Sequence, residues 1–177
     1  MCGIFGSINT NSLKDTYKGL SRLEYRGYDS FGYAAALKGD KVDVVKGLGS
    51  VDRAAFEKED VDLCIGHVRW ATNGEVTVEN AHPQNFKNFY VVHNGIVENA
   101  PSHILDTKWL ANVLWLYQGN PKKVYESIEG DNAFVFLNSE TGEVWCVAKG
   151  KKRLFMTENG YVSSDLHALS GFSDKAS

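Results

Sequence analysis

The chain has 177 residues, of which 43% are hydrophobic and 23% charged, and its formal net charge is −3. This length and balance predict one globular domain with a core of its own, over residues 1–177. The acidic net charge argues against general nucleic-acid binding, which ordinarily needs a basic face. The sequence has no run of 18 apolar residues and no secretory pattern, so we expect neither a membrane span nor export.

Three cysteines, at positions 2, 64 and 146, are an odd number without a paired CxxC spacing. This usage predicts a reducing compartment rather than a disulfide framework, and we expect the protein to be cytoplasmic. Cys64 and Cys146 fall within apolar strand patterns, which predicts a structural role for both.

Cys2 differs from these two because removal of Met1 would make it the first residue. A terminal cysteine carries a thiol and a free α-amine on the same carbon, with pKa values of about 8.5 and 7.7–8. The pair forms a nucleophile with a built-in base. The alternative is that Cys2 merely begins a buried strand.

In the first half of the chain, the apolar pattern predicts a short strand around Ile4, then a helix that starts near Ser12 and ends before Gly27. It then predicts strands at 30–37, 42–46 and 61–68, the first two joined by a turn at 38–41. Residues 70–84 lose all periodicity and contain loop signals. A long loop inside a compact domain often binds a ligand.

The second half also contains both strands and helices. The pattern predicts strands at 89–92, 133–137 and 143–148, short strands near 154–156 and 161–163, and helices at 107–117 and 122–128. Asn94-Gly95 by itself favours a hairpin turn. Helices that fall between groups of strands predict an α+β sandwich of two packed sheets covered by helices.

Five segments carry a family resemblance, in order along the chain. They are residues 2–6 (CGIFG), 23–30 (LEYRGYDS), 66–72 (GHVRWAT), 80–83 (NAHP) and 92–99 (VHNGIVEN). Together they resemble the glutaminase domain of class II glutamine amidotransferases, most closely that of the glucosamine-6-phosphate synthases. The resemblance extends from Cys2 to about Asp165. It implies an N-terminal-nucleophile hydrolase fold with four αββα layers.

The resemblance also implies an enzyme mechanism. Cys2 would attack the side-chain amide of L-glutamine, with its α-amine accepting and returning the proton. The side-chain amide of Asn94 and the backbone N–H of Gly95 would stabilise the oxyanion. Ammonia would leave, and water would release glutamate from the thioester.

The remaining site residues follow from the same motifs. Arg69 matches the clamp for the α-carboxylate of glutamine, against the alternative of a surface salt bridge, and Thr72 would bind the same carboxylate. Trp70 matches a residue that shields the pocket, although core packing is an alternative. Asp106 matches the acid that binds the α-ammonium, against the alternative of a helix N-cap. Arg26 is expected to support the site without performing chemistry.

Three features depart from the family pattern. Asn73 stands where the family usually has histidine, which affects loop closure and coupling to an acceptor site. The segment from Asn94 to Asp106 is about a dozen residues shorter than in the family. Residues 105–108 (LDTK) keep only the Asp-Thr core of the usual motif, which weakens the assignment of Asp106.

The sequence implies no cofactor, and its five histidines show no metal-ligand spacing.

The expected partners are L-glutamine and a synthase domain or separate acceptor enzyme, since nothing in the sequence encodes an acceptor domain. Two other functions stay open: an N-terminal-nucleophile amidase for a different amide, and a non-catalytic binding module. The basic residues 149–153 predict a solvated turn, against a phosphate or partner site.

Overall fold

The structure is a computed structural model that describes residues 2–9, 11–37, 41–71 and 74–172. Within these ranges the chain forms ten strands: β1 (Gly3–Ser7), β2 (Ser30–Ala36), β3 (Asp43–Leu48), β4 (Leu63–Arg69), β5 (Gln84–Phe86), β6 (Phe89–Gly95), β7 (Asn132–Asn138), β8 (Glu143–Lys149), β9 (Phe155–Met156) and β10 (Tyr161–Ser163). The α-helices of the same ranges are α1 (Ser12–Leu23), α2 (Asp106–Leu116) and α3 (Pro121–Ser127). Short 3₁₀ turns lie at Glu24–Arg26, Arg53–Phe56 and Leu166–Leu169.

The strands form two antiparallel sheets. The first has the order β3-β2-β4-β1-β10-β9 and the second the order β5-β6-β7-β8. In the first sheet β1 lies between β4 and β10, with Gly3 opposite Val68. In the second sheet β6 pairs with β7 so that Asn94 lies opposite Ala133.

Alternation along the strands sorts the buried side chains into three layers. One core lies between α1 and the first sheet and includes Phe5, Leu20 and Val68. A middle core between the sheets includes Ile4, Ile65 and Val92. A third core between the second sheet and α2 and α3 contains residues such as Phe134 and Leu110.

The order of layers is therefore helix, sheet, sheet and helices, which confirms the predicted α+β sandwich of the αββα type. Most predicted elements are present with small shifts at their ends. The short strand β5 begins at the last residue of the predicted loop and was not expected. Asn94 and Gly95 do not form a hairpin turn, because they are the last two residues of β6. The predicted turn at 38–41 falls largely outside the described residues.

None of the helices in the described ranges combines the length and the apolar composition that a membrane crossing requires. Because α1, the longest of them, has 12 residues, it is well short of the roughly 20 that span a bilayer.

Candidate active site

Cys2 lies at the open end of the middle layer, directly before β1. Its side chain is partly exposed, and its Sγ lies 3.4 Å from both the backbone nitrogen and the carbonyl oxygen of Trp70. Burial raises the pKa of the Cys2 thiol, while the hydrogen bond with the Trp70 backbone and the positive charge of Arg69 offset part of this rise. The thiol is therefore held in place beside the end of β4, and it needs a base to become a nucleophile at neutral pH.

Asn94 reaches the same place from the second sheet. Successive side chains of β6 point to opposite faces of the second sheet. Val92 packs in the core between the sheets, so Asn94, two residues later, faces the first sheet as well. The side-chain Nδ2 of Asn94 donates to the carbonyl oxygen of Cys2 at 3.2 Å, and the residue is 3% exposed. An amide nitrogen carries two hydrogens, so the same atom can donate to a further acceptor beside Cys2.

Gly95 follows at the end of β6 and can be no other residue in this conformation. Its φ is +115°, and a Cβ built there would lie 2.2 Å from the carbonyl oxygen of Asp131. A side chain would clash with backbone and would strain the chain as well. The glycine therefore allows the strand to end against the segment that begins β7.

A buried polar network lies behind Asn94. The backbone N–H of His93 donates to Nδ1 of His82 at 3.2 Å, so His82 carries its proton on Nε2 and donates to the Thr107 hydroxyl, also at 3.2 Å. The Thr107 hydroxyl lies 2.9 Å from Nδ1 of His93, and Nε2 of His93 lies 2.7 Å from Oδ1 of Asn132. The side chains of His82, Thr107 and His93 can each donate one of these hydrogen bonds and accept another, and the network links β6 to β7 and α2.

His67 completes this network from β4. Its Nε2 lies 2.9 Å from the His93 carbonyl oxygen and 3.2 Å from Oδ1 of Asn94, and its ring stacks on His82 with centroids 4.0 Å apart. Burial lowers the pKa of His67 to about 3. Burial also lowers the pKa of His82 and of His93. All three rings are therefore neutral near pH 7.

Arg69 and Asp106 are two further buried candidates for the site. Arg69 ends β4, is 3% exposed, and donates from Nη1 to the Glu75 carbonyl at 2.9 Å. Asp106 is 4% exposed and accepts from the Val97 backbone N–H at 2.9 Å. Burial lowers the pKa of Arg69, and the charges of Cys2, Asp29 and Asp106 offset part of this change. A surface salt bridge, the alternative for Arg69, does not fit a side chain this deeply buried.

The helix N-cap alternative for Asp106 is wrong. Leu105 occupies the cap position of α2, and Asp106 is the first residue of the helix. Its carboxylate points instead to the segment that follows Gly95, where it accepts from Val97. A carboxylate in the first turn of a helix also interacts favourably with the helix dipole.

Comparisons with known proteins show what the chain as a whole is similar to. The chain is 35% identical over 199 residues to the glutamine–fructose-6-phosphate aminotransferase (isomerizing) of Streptococcus pyogenes serotype M6, covering 96% of this chain and 33% of the relative. It is 42% identical over 196 residues to the enzyme of the same name from Listeria monocytogenes serovar 1/2a, covering 96% of this chain and 32% of the relative. A scan against protein-family models gives no match.

A solved structure supports the same assignment. Glutamine phosphoribosylpyrophosphate amidotransferase from B. subtilis, complexed with ADP and GMP, has a TM-score of 0.75 at 26% identity, covering 95% of this chain and 43% of that chain. The chain belongs to the class II glutamine amidotransferases. The family resemblance and the N-terminal-nucleophile hydrolase fold are thus confirmed. The chain spans about a third of the length of the curated relatives it matches.

Within this amidotransferase domain, Trp70 lies at the mouth of the site. Its side chain is 49% exposed, so the core-packing alternative is wrong. Its backbone contacts the Cys2 thiol and also Gly27, where a Cβ would lie 2.7 Å from the Trp70 nitrogen. The glycine of the 23–30 motif therefore permits the turn to pack directly against the residue that touches the nucleophile.

Arg26 is linked to β1 through one intervening residue, Ser164. Its Nη1 donates to the Ser164 carbonyl at 3.0 Å, and the Ser164 hydroxyl accepts from the Ile4 backbone N–H at 2.9 Å. The guanidinium thus holds the segment after β10, and the Ser164 hydroxyl joins that segment to β1, which follows Cys2. Burial lowers the pKa of Arg26, and the Cys2 thiolate would raise it.

Asp29 is a site residue that the sequence reasoning did not single out. Its carboxylate accepts from the Ala71 backbone N–H at 3.0 Å, and its own N–H donates to the Arg69 carbonyl at 2.9 Å. Asp29 therefore fixes the chain on both sides of Trp70. Its place in the 23–30 motif, immediately before β2, was the available signal.

Two cavities are lined by residues in or next to the segments that carry Gly95 and Asp106. One, of about 460 Å³, is lined by residues that include Gly74, Asn80, Leu105 and Lys108. The other, of about 250 Å³, is lined by Gly95, Ile96, Glu98, Asp131 and Lys152. Thr72 and Asn73, which the sequence analysis also named, lie outside the described residues.

Of the other two cysteines, Cys64 is buried, whereas Cys146 is partly exposed like Cys2. Cys64 is fully buried in the core under α1, and burial raises its pKa to about 12. Burial raises the pKa of Cys146 to about 11. In the described part of the chain, no group of three or more His, Cys, Asp or Glu side chains is placed to hold a metal ion.

Proposed function

We propose that this domain hydrolyses the side-chain amide of L-glutamine to glutamate and ammonia through a thioester on Cys2. The observation that carries the proposal is the contact between Cys2 and the side-chain amide of Asn94, 3.2 Å from nitrogen to carbonyl oxygen. It brings a thiol and a hydrogen-bond donor from two different sheets to one point. Membership of the class II amidotransferases supports the choice of glutamine.

The reaction starts with a proton transfer. Removal of Met1 gives Cys2 a free α-amine, which takes the thiol proton as sulfur attacks the amide carbon. The raised pKa of the thiol makes this base necessary. The protonated amine then gives its proton to the leaving nitrogen, and ammonia departs. Water attacks the thioester, with the amine as base again, and glutamate is released.

Asn94 and Gly95 are the proposed oxyanion donors. The second hydrogen on Nδ2 of Asn94 and the backbone N–H of Gly95 would bind the amide oxygen as it becomes negative. Removal of one such donor typically costs about 2.7–4 kcal/mol of transition-state stabilisation. The geometry suits this role because the donors are fixed by β6 before substrate arrives.

Arg69 and Asp106 are proposed to bind the two charges of the amino-acid head group. Arginine has five N–H donors in a fork, so Arg69 can hold the α-carboxylate while it retains the Glu75 carbonyl. Thr72 would bind the same carboxylate. The carboxylate of Asp106, held by Val97, would bind the α-ammonium. Trp70 would shield the pocket, and Arg26 would support the strand of Cys2.

The ammonia is proposed to pass to an acceptor on a synthase domain or on a separate partner protein. The curated relatives are named for transfer to fructose 6-phosphate, so a hexose phosphate is the first acceptor to test. The chain spans about a third of those relatives, and we propose that the acceptor site lies beyond residues 1–177.

The test is the release of glutamate from L-glutamine by protein whose intact mass shows that Met1 has been removed. L-Asparagine and N-acetyl-L-glutamine serve as comparison substrates, since one shortens the side chain and the other removes the α-ammonium. We expect glutamate from L-glutamine, at least tenfold less product from either comparison substrate, and none from folded Cys2→Ala. Equal turnover of the three amides would favour a general amidase. Undiminished turnover by Cys2→Ala would refute the mechanism.

A further inference from the structure

His67 faces Asn94 across the middle layer of the sandwich. On β4, Ile65 and His67 share the face that meets the second sheet, and His67 has no solvent exposure. Its Nε2 lies between two oxygens, the His93 carbonyl at 2.9 Å and Oδ1 of Asn94 at 3.2 Å. The contact joins β4 to the residue proposed as oxyanion donor.

The surroundings of His67 define which ring nitrogen carries the proton. Both atoms that face Nε2 are acceptors, so Nε2 carries the hydrogen and donates to them. The other nitrogen, Nδ1, is buried without a hydrogen-bond partner among the described residues. A neutral ring with its proton on Nε2 satisfies this arrangement.

The protonated Nε2 also defines the orientation of the Asn94 amide. With Oδ1 toward His67, Nδ2 points to Cys2 and donates to its carbonyl. In the reverse orientation, the amide would bring N–H against N–H at His67 and oxygen against oxygen at Cys2. Both contacts would then be repulsive, so His67 and Cys2 select the same orientation.

The ring of His67 is itself held in place. It stacks on His82 with a centroid distance of 4.0 Å and an interplanar angle of 19°. His82 is fixed in turn by the His93 backbone N–H and by Thr107. The direction of the Nε2–H bond is thus set by three elements of the fold, β4, β6 and α2.

We propose that His67 is a positioning residue that holds the Asn94 amide in the orientation required to stabilise the oxyanion at Cys2. The inference rests on the proposed glutaminase function and adds a residue that does not touch substrate. Its effect belongs to the transition state, because glutamine in its ground state does not carry the negative oxygen.

The test compares His67→Phe, which keeps a flat ring but has no donor, with His67→Gln, whose amide can donate to Oδ1 of Asn94. His167→Phe is the matched control, since His167 is exposed in the last 3₁₀ turn. We expect His67→Phe to lower kcat for glutamine about 10- to 100-fold, with KM within about twofold. We expect His67→Gln to recover most of the loss and His167→Phe to match the wild-type protein.

Inhibitor binding separates orientation from packing. Glutamate γ-semialdehyde forms a thiohemiacetal on Cys2 whose oxygen meets the oxyanion donors, whereas L-norvaline has the same amino-acid head group and no side-chain oxygen. In His67→Phe, the affinity for the aldehyde should fall by about the same factor as kcat, and the affinity for L-norvaline should not change. Equal kcat in His67→Phe and wild type would overturn the inference. An equal loss in His67→Phe and His67→Gln would do so too.

A measurement on the wild-type protein covers the case in which His67→Phe does not fold. The ¹⁵N chemical shifts of the His67 ring should show a neutral ring with the proton on Nε2 at pH 7. A proton on Nδ1 instead would overturn the inference. If the wild-type protein releases no glutamate, the proposed function fails and the inference fails with it. If the wild-type protein is active and only the His67 results disagree, the inference alone is wrong.

Discussion

The two ends of the proposed site are built in different ways. At the proposed reaction end, Cys2 directly precedes β1, His67 lies in β4 and Asn94 in β6, and hydrogen bonds across the middle layer join these residues from two sheets. At the proposed recognition end, Arg69 and Asp106 each bind the backbone of a connecting segment, at Glu75 and Val97. The strand register therefore fixes the reacting groups, whereas the recognition groups also hold loops in place.

The ends also differ in charge. The reaction end depends on neutral rings, because burial lowers the pKa values of His67, His82 and His93. The proposed recognition end has one basic and one acidic side chain, Arg69 and Asp106. We therefore expect low pH to destabilise the neutral rings of the first end. We expect loss of one charged side chain to impair the second end.

Lowering the pH should give the largest effect, which is a fall in the free energy of unfolding. In the unfolded chain each histidine titrates near 6.5, whereas the folded pKa values of His67, His82 and His93 are lower, and that of His67 is about 3. Below pH 6.5 the unfolded state therefore binds more protons, and the free energy of unfolding falls as the pH falls. The slope is about 1.4 kcal/mol per pH unit for each histidine that stays neutral in the folded state.

This dependence is measured by denaturant unfolding between pH 6.5 and 5, above the range in which carboxylates titrate. Three histidines would give a slope of up to about 4 kcal/mol per pH unit. His82→Gln should reduce the slope by about one histidine, and the exposed His167→Gln should leave it unchanged. A stability that does not vary over this pH range would contradict the neutral network and remove the contrast between the two ends.

Arg69→Lys should give a smaller effect, at the recognition end. One ammonium cannot reproduce the bidentate fork, and loss of a charge-assisted contact costs roughly 1.5–3 kcal/mol. We expect kcat/KM for glutamine to fall about 10- to 100-fold, mostly through KM. Arg153→Lys, at an exposed position, is the matched control. A fall in kcat with unchanged KM would mean that Arg69 belongs to the reaction end instead.

Much of the fold was predictable. Alternating apolar residues mark the long strands, and apolar residues three and four positions apart mark the two longer helices. The misses have local causes. Three-residue β5 follows loop signals at Ala81 and Pro83 and is too short to show a period. Asn94-Gly95 has the composition of a hairpin turn, but pairing with β7 extends β6 through both residues. Asp106 has the residue type and position expected of a helix N-cap, but its carboxylate accepts a hydrogen bond from the backbone N–H of Val97 instead.

The site was predictable only as a set of motifs. The family resemblance named Cys2 and Asn94, but the orienting contact of Asn94 joins residues 27 positions apart on different sheets. No local pattern reveals such a pair, because it depends on how the sheets face each other. Asp29 was missed for the same reason, since its partner Ala71 lies 42 positions further along the chain.

The most direct test of the central claim is where a reactive glutamine analogue becomes attached. A diazoketone analogue loses N₂ and forms a thioether with the attacking thiol, and the modified peptide is identified by mass spectrometry. We predict one adduct, on Cys2, in protein that lacks Met1, with protection by glutamate. Protein with an N-terminal extension that cannot be removed should react at least a hundredfold more slowly, because the α-amine is then an amide without basicity. An adduct on another residue, or equally fast labelling of the extended protein, would contradict an N-terminal cysteine nucleophile.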